Sequence, residues 1–495
     1  MRKTVLKKEP RLLSKLKAFQ YQEEAYNAIK DLKYSAIFHE QGLGKTKIAI
    51  DTLLYWLDKK GVDCVIIVTK KQLVQNWINE FLFHTHIRPA ILNSNKKDNY
   101  YVFNGPYRVI VTNFEVVTVE KERFKLFLKA RNSAIIIDES TKLKNPESKL
   151  TQTFFELAQH FVFKCIMTGT PIANRPYDIW AQIFFLDQGE SLGKDFNSFK
   201  KSCDLSNKLY QSDCKRKLFE GSINKISEKI NKFSVRETKN HGIIDLPDKK
   251  YITIIAKFES SQQRIYESIK RDLTILIQKG DTTLLDDSSS SLKRLLRLVQ
   301  ATSNPKLIDN MYYETSGKEF ELDTLIKKII DNNEKCIVWS NFIENIDYFT
   351  KKYSMYDAVK IHGKMSIQDR NKSIEKFKKD ECKILFATPQ SAKEGLTLTM
   401  ANHVIFYDRG FSLDDYLQAQ DRIHRISQKK TCYIYNIMIE NSIDLWVDVL
   451  LKAKQNAAFL AQGDITLDKY QNISDYSFGK LVKEILDMEE DCRDE

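Results

Sequence analysis

Residues 35–46 of the chain read Ser35-Ala36-Ile37-Phe38-His39-Glu40-Gln41-Gly42-Leu43-Gly44-Lys45-Thr46, a short apolar run followed by a loop with two glycines. The apolar run predicts a buried strand, and the residues after Thr46 repeat apolar side chains at helical spacing. Glycines at a strand-to-helix junction let backbone N–H groups close around phosphates, and the helix N-terminus adds its positive dipole end. The sequence therefore predicts a phosphate-binding loop (P-loop) in an α/β domain.

The chemistry of this loop indicates a nucleoside triphosphate. Lys45 would neutralise the β- and γ-phosphates, and the Thr46 hydroxyl can ligate Mg²⁺. His39 stands where the strict pattern has its first glycine, so the loop is a variant, and an ordinary glycine turn into a helix is the alternative. The residues predicted to bind the nucleotide here are Gly42, Leu43, Gly44, Lys45 and Thr46.

Short β-rich apolar runs occur in two series. The first comprises Ser35–Phe38, Cys64–Val68, Arg108–Val111, Ala134–Ile137 and Phe163–Met167, and the second comprises Cys336–Trp339, Cys382–Ala387, His403–Tyr407 and Cys432–Ile437. Continuous rather than alternating apolar runs predict strands buried on both faces, as in parallel sheets covered by helices. A mostly helical stretch at about 187–313 separates the series. Since 495 residues exceed what one core usually holds, we expect an α/β protein with two lobes and helical insertions.

The charge of the chain indicates the kind of partner. Lysine and arginine number 78 against 66 aspartate and glutamate, a net charge of +12, which favours a polyanion such as nucleic acid over a neutral ligand. The first 17 residues carry +6 and the last 15 carry −5, so the body between them is basic. The eight cysteines form no C-x-x-C pair, which favours reduced thiols in an intracellular protein over a zinc site. We expect neither a membrane span nor secretion, because no long apolar run or signal region occurs.

A pair of carboxylates follows the run Ala134–Ile137, namely Asp138 and Glu139. The carboxyl end of a buried strand lies at the rim where α/β sheets bind ligands. There Asp138 can hold Mg²⁺, and Glu139 can orient and deprotonate an attacking water. Asp-Glu after a strand is by itself more often a helix N-cap, and the upstream Lys45 is what favours catalysis.

Two arginines lie in the second series, in the stretch from Gln418 to Gln428. Gln418, Arg422 and Arg425 follow i, i+4, i+7 spacing, which predicts one helical face and places both guanidiniums across a cleft at a γ-phosphate. An arginine pair on a helix is usually a solvated face. Together with the loop and the carboxylates, the pair is predicted to stabilise transition-state charge.

These three patterns, in this order, resemble those of the superfamily-two helicase-like ATPases, and within them the Swi/Snf-type double-stranded DNA translocases. Further similar segments are Leu16–Gln22, Val65–Phe81, Thr112–Glu115, Met167–Asn174, Val235–Lys239, Leu246–Lys249, Ser316–Lys318 and His362-Gly363. The resemblance implies two RecA-like parallel-sheet lobes in tandem, with ATP and Mg²⁺ as cofactors between them. It also implies that Gln22 reads adenine, that Gly395 contributes to the nucleotide site, and that Thr168 to Pro171 couple hydrolysis to lobe movement.

The resemblance implies a domain plan for the whole chain. The predicted parts are a nucleotide-binding lobe at 1–190, a helical insertion at 191–245, a bridge and helical linker at 246–315, a second lobe at 316–455 and a helical acidic tail at 456–495. Several family positions are changed: His39 replaces an aspartate, and Ser140-Thr141 replaces Ala-His. These changes are more typical of a phage, bacterial or large-virus branch.

Family contacts to DNA come from loops at strand ends and go mainly to phosphates, so they predict affinity without sequence specificity. Local capping is the alternative for each hydroxyl or amide side chain. The DNA-binding residues carried over by position are Thr69, Lys70, Thr112, Asn113, Ser340, Asn341, Thr388 and Ser391.

The predicted function is therefore that of a DNA-stimulated ATPase that moves along duplex DNA. Lys45, Glu139, Arg422 and Arg425 are its predicted catalytic residues. A strand-separating DNA or RNA helicase and an ATP-gated recruitment scaffold are the alternatives. We expect a monomeric intracellular motor that a protein partner directs to its target, with the charged termini as docking segments.

Overall fold

The computed structural model describes residues 10–205, 209, 212–239, 246–278, 289–394, 397–425, 427–476, 480–481 and 484. These residues divide into two compact units. The first contains residues 10–203, 222–239 and 461–463, and the second contains most of 246–460 with 212–221 and 464–476. The boundaries predicted for the two lobes, the insertion, the bridge and the tail all stay predictions.

The first unit is built on a sheet whose described strands are all parallel. Its strands are β1 (Tyr34–Ile37), β2 (Cys64–Thr69), β3 (Ala90–Ile91), β4 (Val109–Asn113), β5 (Ser133–Asp138), β6 (Phe163–Met167) and β7 (Ser234–Val235). They lie in the order β3-β4-β2-β5-β6-β1-β7. Because β2 lies between β4 and β5, the residues that follow these three strands meet at one edge of the sheet.

Helices cover both faces of this sheet, as the connections of parallel strands require. They are α1 (Gln20–Ile29), α2 (Lys45–Lys59), α3 (Val74–His84), α4 (Lys96–Asn104), α5 (Phe114–Val119), α6 (Lys121–Ala130), α7 (Lys149–Ala158), α8 (Trp180–Asp187) and α9 (Phe196–Cys203). On one face Ile48, Leu53 and Trp56 of α2 belong to the same buried cluster as Val65 and Ile67 of β2. The long helix α10 (Asp213–Ile230) crosses the division between the units at Gly221.

The second unit has its own parallel sheet. Its described strands are β8 (Lys249–Ala256), β9 (Cys336–Trp339), β10 (Val359–Ile361), β11 (Ile384–Ala387), β12 (His403–Phe406) and β13 (Cys432–Ile439), in the order β10-β11-β9-β12-β13-β8. Its helices are α11 (Ser260–Gln278), α12 (Ser289–Ser303), α13 (Gly317–Asp331), α14 (Ile343–Lys352), α15 (Ile367–Lys378), α16 (Leu413–Gln420), α17 (Ile443–Gln462) and α18 (Leu467–Ile473).

Side-chain caps fix where several helices begin. The hydroxyls of Ser148, Ser316, Ser366, Ser412 and Thr466 each accept a hydrogen bond from the backbone N–H three residues later. Each bond satisfies one of the N–H groups that a first helical turn leaves without a partner. The first turn of α16, which precedes the predicted arginines, is set in this way by Ser412.

The predicted α/β class with two parallel sheets is confirmed, and every predicted apolar run overlaps a strand. The strand β8 was not predicted, because it lies in the stretch interpreted as bridge and linker. It is an edge strand with exposed side chains, such as Tyr251 at 55% and Ile255 at 48%, so it lacks the continuous burial of central strands such as β2 and β5. No helix among the described residues is long and apolar enough to cross a membrane.

Candidate functional site

The loop between β1 and α2 has the conformation that its glycines permit. Gly42 and Gly44 have φ of 89° and 67°, in the left-handed region, and Gly44 is the residue before the first turn of α2. A Cβ atom on Gly44 would lie 2.2 Å from Nε2 of Gln22. The loop is thus held in a shape that only glycine fits, with a glutamine of α1 packed against it.

Helix α1 supports the loop from the side. Gln22 is 5% exposed, and its Oε1 accepts a hydrogen bond from the backbone N–H of Phe19 at 3.0 Å. The Tyr21 hydroxyl donates to the Leu43 carbonyl at 3.3 Å. The structure therefore brings Gln22 to the phosphate-binding loop, whereas its predicted contact with adenine stays a prediction.

The ammonium of Lys45 lies inside the loop. Its Nζ donates to the carbonyl oxygens of His39 at 3.0 Å and Glu40 at 3.3 Å. Burial lowers the pKa of this ammonium to about 8, although the carboxylates of Glu139 and Asp138 act in the opposite direction. The charges of Glu139, the predicted base, and Asp138, the predicted Mg²⁺ ligand, thus favour the ionised form of Lys45.

Asp138 is the last residue of β5 and is 9% exposed. Its Oδ2 accepts hydrogen bonds from the indole Nε1 of Trp77 at 2.9 Å and from the Thr69 hydroxyl at 3.1 Å. Burial, followed by the adjacent Glu139 charge, raises the pKa of Asp138 above its ordinary value, and the two hydrogen bonds oppose this shift. Thr69 and Trp77 thus fix the orientation of Asp138 and favour its ionised form.

We expect Trp77→Phe to lower ATP turnover by about tenfold to 150-fold, since a lost hydrogen bond to a charged group is worth about 1.5–3 kcal/mol. The substitution also removes part of a buried indole, so the control must make the same loss of packing elsewhere. The matched control is Trp56→Phe, because the Trp56 indole donates to the Lys30 carbonyl at 3.0 Å, in another part of the unit. Steady-state hydrolysis over a Mg²⁺ titration checks this, and equal turnover of both variants would contradict it.

Glu139 follows β5 directly and has a strained backbone, with φ 56° and ψ 50°. A non-glycine residue in the left-handed region costs about 1–2 kcal/mol, and such residues are concentrated at functional sites. Its Oε2 lies 3.3 Å from Nζ of Lys70, the residue after β2. The two side chains are 18% exposed for Lys70 and 17% for Glu139, so the pair is largely shielded from water.

A second set of contacts connects the residue after Glu139 to the Thr168–Pro171 segment. The Ser140 hydroxyl donates to Oε1 of Gln182 at 2.7 Å, and Nε2 of Gln182 donates to the Pro171 carbonyl at 2.7 Å. A Cβ on Gly169 would lie 3.3 Å from Nζ of Lys45. The segment therefore packs on the phosphate-binding loop and is bonded through Gln182 to the residue after Glu139.

The donor set fits a magnesium ion. Thr46 at the start of α2 offers a hydroxyl and Asp138 a carboxylate, and Mg²⁺ is usually held by one or two protein oxygens together with substrate phosphates and waters. Two adjacent carboxylates also favour a cation beside them. Among the described residues no group of three or more His, Cys, Asp and Glu side chains is arranged as a metal site.

The second unit corrects the prediction for the arginines. Helix α16 ends at Gln420, so Arg422 and Arg425 lie in the turns after it and do not share a helical face with Gln418. The backbone carbonyls that follow Gln420 accept hydrogen bonds from donors outside the helix. The Leu398 N–H, for example, donates to the Arg422 carbonyl at 2.9 Å.

Other bonds stop the helix in the same way. Nε2 of Gln428 donates to the Ile423 carbonyl at 3.1 Å, and Nε of Arg425 donates to the Asp421 carbonyl at 3.2 Å. The Arg422 side chain is buried at 3% exposure, and burial lowers the pKa of Arg425. The role predicted for both arginines at a γ-phosphate stays a prediction. Gly395 lies outside the described residues.

A buried carboxylate organises the predicted DNA contacts at the end of β9. Asp408 is fully buried and accepts hydrogen bonds from the Asn341 N–H at 2.7 Å, from Nδ2 of Asn341 at 2.8 Å and from the Ser340 hydroxyl. The Ser303 hydroxyl also donates to it, at 2.8 Å. Asp408 thus fixes the backbone and side chain of Asn341, which stays partly exposed.

Most other predicted DNA contacts are hydrogen-bonded within the protein, and the bonds of Asn113 and Ser391 are local, as the capping alternative expects. The hydroxyl of Thr112 donates to the Leu92 carbonyl, Oδ1 of Asn113 caps α5, and the hydroxyl of Ser391 donates to the Thr388 carbonyl. All four of these residues, Thr112, Asn113, Thr388 and Ser391, are at most 8% exposed. Lys70 and Asn341 are the more accessible members of the predicted set, and contact of any member with DNA stays a prediction.

Four supporting residues were not predicted to act at the site: Thr69 and Trp77 in their roles at Asp138, Gln182 and Asp408. Asp408 carries the same signal as Asp138, a carboxylate just after a buried strand, and could have been found from it. Nothing local marks the other three, because the partners of Thr69, Trp77 and Gln182 lie 69, 61 and 42 positions away in the chain.

Comparison with known proteins gives two family matches and many relatives. A SNF2-related domain matches residues 21–307, and a helicase conserved C-terminal domain matches residues 321–427. An ATP-dependent helicase of Mycoplasma pneumoniae is 30% identical over 437 residues, which is 86% of this chain and 40% of that protein. Human SWI/SNF-related matrix-associated actin-dependent regulator of chromatin subfamily A member 1 is 27% identical over 474 residues, 90% of this chain and 42% of that protein.

Among solved structures, the SWI2/SNF2 ATPase core of Sulfolobus solfataricus in complex with dsDNA aligns with a TM-score of 0.41 and 22% identity, over 98% of this chain and 99% of that one. The chain spans about 40% of the length of the curated relatives named above. The resemblance predicted from the sequence is confirmed by the family matches. Because the SNF2-related domain covers more than half of the 495 residues, the chain belongs to the SNF2-related family of helicase-like proteins.

Proposed function

We propose that the chain is a DNA-stimulated ATPase that translocates along double-stranded DNA. The observation that carries this proposal is the position of Lys45 after β1, and of Asp138 and Glu139 at the end of β5, at the carboxyl edge of the first sheet. Because the chain belongs to the SNF2-related family, this arrangement supports nucleotide hydrolysis. The relatives, which include an ATP-dependent helicase and chromatin-remodeling complex ATPases, support the same activity.

Each residue has a proposed task in hydrolysis. The loop amides and Lys45 bind the phosphates, Thr46 and Asp138 hold Mg²⁺, and Glu139 orients the attacking water and takes its proton. The Mg²⁺ ion would supply positive charge for the phosphate oxygens when bound. The loop, Asp138 and Glu139 all belong to the first unit, so the chemical step can be tested there by single substitutions.

Binding of DNA is proposed to use phosphate contacts spread over a basic surface. The net charge of +12 supports a polyanionic partner, and contacts to phosphates carry no base information. A monomeric state and a protein partner that supplies the target remain part of the proposal, since a motor that reads only phosphates needs another source of specificity.

We expect duplex DNA to stimulate ATP hydrolysis more than single-stranded DNA or RNA does. The DNA concentration for half-maximal stimulation should rise steeply between about 50 and 200 mM salt, because each phosphate contact releases a counterion. Steady-state hydrolysis with the three nucleic acids at the two salt concentrations is the measurement. Lys45→Ala, which removes the phosphate-binding ammonium, is the control for contaminating ATPases. Equal rates with and without every nucleic acid would contradict the proposal.

Two further measurements separate translocation from the alternatives. A translocase displaces the third strand of a triplex without separating the duplex, whereas a strand-separating helicase releases a fluorescent strand from a duplex. Multiple turnovers per molecule exclude a scaffold in which ATP binding only sets the conformation. Triplex displacement that needs hydrolysable ATP, without duplex unwinding, is the expected result.

A further inference from the structure

Lys70 lies between a residue predicted to contact DNA and the glutamate predicted to activate water. Strand β2 pairs with β4 on one side and with β5 on the other, with Thr69 opposite Asn113 and Val68 opposite Ile137. Lys70 is the next residue after β2, so it lies between the carboxyl ends of β4 and β5. The predicted DNA contact Asn113 ends one neighbouring strand, and Glu139 follows the other.

The contact that Lys70 makes is with the predicted catalytic carboxylate. Its Nζ lies 3.3 Å from Oε2 of Glu139 and donates a hydrogen bond to it. Among the side chains that the structure describes, Lys70 is the hydrogen-bond donor to this carboxylate. A carboxylate oxygen that already accepts a hydrogen bond from an ammonium group is less able to orient a water molecule and take its proton.

We propose that Lys70 restrains Glu139 until a phosphate of the DNA backbone binds Lys70 and releases the carboxylate for catalysis. Lys70 is then a positioning residue that makes hydrolysis depend on DNA, an inference that rests on the proposed DNA-stimulated ATPase. A phosphate is a suitable competitor, because it carries a full charge and the flexible Lys70 side chain is 18% exposed.

The shielding of the pair decides how strong the restraint is. A fully exposed ion pair contributes little, because water and salt screen it. Here both side chains are more than four-fifths buried, so the charges interact through a less polar medium. The strained backbone of Glu139, with φ 56°, fixes the start of its side chain near Lys70. The pair therefore needs a specific competitor, which the DNA phosphate supplies.

The test compares Lys70→Gln with Lys71→Gln in the full-length chain. Lys71 is the neighbouring lysine and is exposed, so the control removes the same charge at nearly the same place. We expect Lys70→Gln to raise the DNA-free ATPase rate by about fivefold to thirtyfold, which corresponds to about 1–2 kcal/mol. The rate with saturating duplex DNA should change little, so the stimulation factor falls, whereas Lys71→Gln keeps the wild-type factor.

Each other outcome has a definite meaning. A DNA-free rate that is unchanged or lower in Lys70→Gln overturns the inference, because the lysine would then be a DNA contact alone or would assist Glu139. A wild-type protein that DNA does not stimulate refutes the proposed function instead, before any variant is compared. Thermal unfolding of both variants identifies a folding defect, and Lys70→Arg, which keeps the pair, should retain the wild-type stimulation factor.

Reciprocal coupling supplies a second test that does not depend on hydrolysis. If Glu139 and a DNA phosphate compete for Lys70, removing the carboxylate charge must strengthen DNA binding by a comparable factor. We expect Glu139→Gln to bind duplex DNA about fivefold or more tightly without nucleotide, by fluorescence anisotropy. Glu122→Gln removes an equal charge from a side chain that is 77% exposed and should bind as the wild type does. Equal affinities of the two variants would overturn the inference.

Discussion

Glu139→Gln is expected to lower ATP turnover with duplex DNA by about 10²-fold to 10⁴-fold, the usual contribution of a general base. Glutamine keeps the size of the side chain and can still accept the Lys70 hydrogen bond, but it cannot take a proton from water. Asp138, Lys45 and the loop are unchanged, so ATP affinity should stay within a few-fold of the wild-type value. Single-turnover hydrolysis and nucleotide binding, measured on the same preparation, check both parts.

The control for this substitution is Glu122→Gln, on the outer surface of α6. It makes the same chemical change at an exposed site and should leave turnover unchanged. Wild-type turnover in Glu139→Gln would show that another group activates the water. A loss of ATP affinity equal to the loss of turnover would show that Glu139 mainly holds the site together.

Gly44→Ala is expected to weaken ATP binding by about thirtyfold or more. The φ of 67° is left-handed, which costs a non-glycine residue about 1–2 kcal/mol. The new methyl group would also lie 2.2 Å from Nε2 of Gln22, so Gln22 must move and lose its bond to Phe19, worth about 1 kcal/mol. Calorimetric titration with a slowly hydrolysed ATP analogue measures the loss.

Gly61→Ala is the matched control for Gly44→Ala. Gly61 has a nearly identical φ of 65°, but nothing lies within 4 Å of the position that a Cβ would take. The variant therefore carries the backbone strain alone, at the end of α2 that lies away from the loop. It should lose stability in thermal unfolding while keeping the wild-type ATP affinity. Equal losses of affinity in the two variants would contradict a specific role for the fit between Gly44 and Gln22.

Local sequence patterns were sufficient to predict the strands and the loop that carry the candidate site. Strands such as β2 and β5 were predictable because a strand buried on both faces must be apolar at every position. The loop before α2 was predictable because its glycines, lysine and threonine are required at fixed spacing by the phosphate chemistry. The edge strand β8 was missed, since its exposed side chains remove that continuous signal.

The arginine segment shows why local spacing can also mislead. The positions of Gln418, Arg422 and Arg425 fit one helical face, and nothing nearby in the sequence breaks a helix there. The helix nevertheless ends at Gln420, because its following carbonyls bond to Leu398 and Gln428. The bond from Leu398, which precedes the helix in the chain, cannot be inferred from a period of 3.6 residues.

The sequence by itself determined the fold class, the family and the identity of the loop and carboxylate residues, because each depends on residue types at short, fixed spacing. The tertiary structure decided how those residues are supported. The register of β2 beside β5 brings Thr69 to Asp138 and Lys70 to Glu139 across 69 positions of chain. Sheet register is set by the packing of whole strands, so contacts between their ends exist only once the sheet has formed.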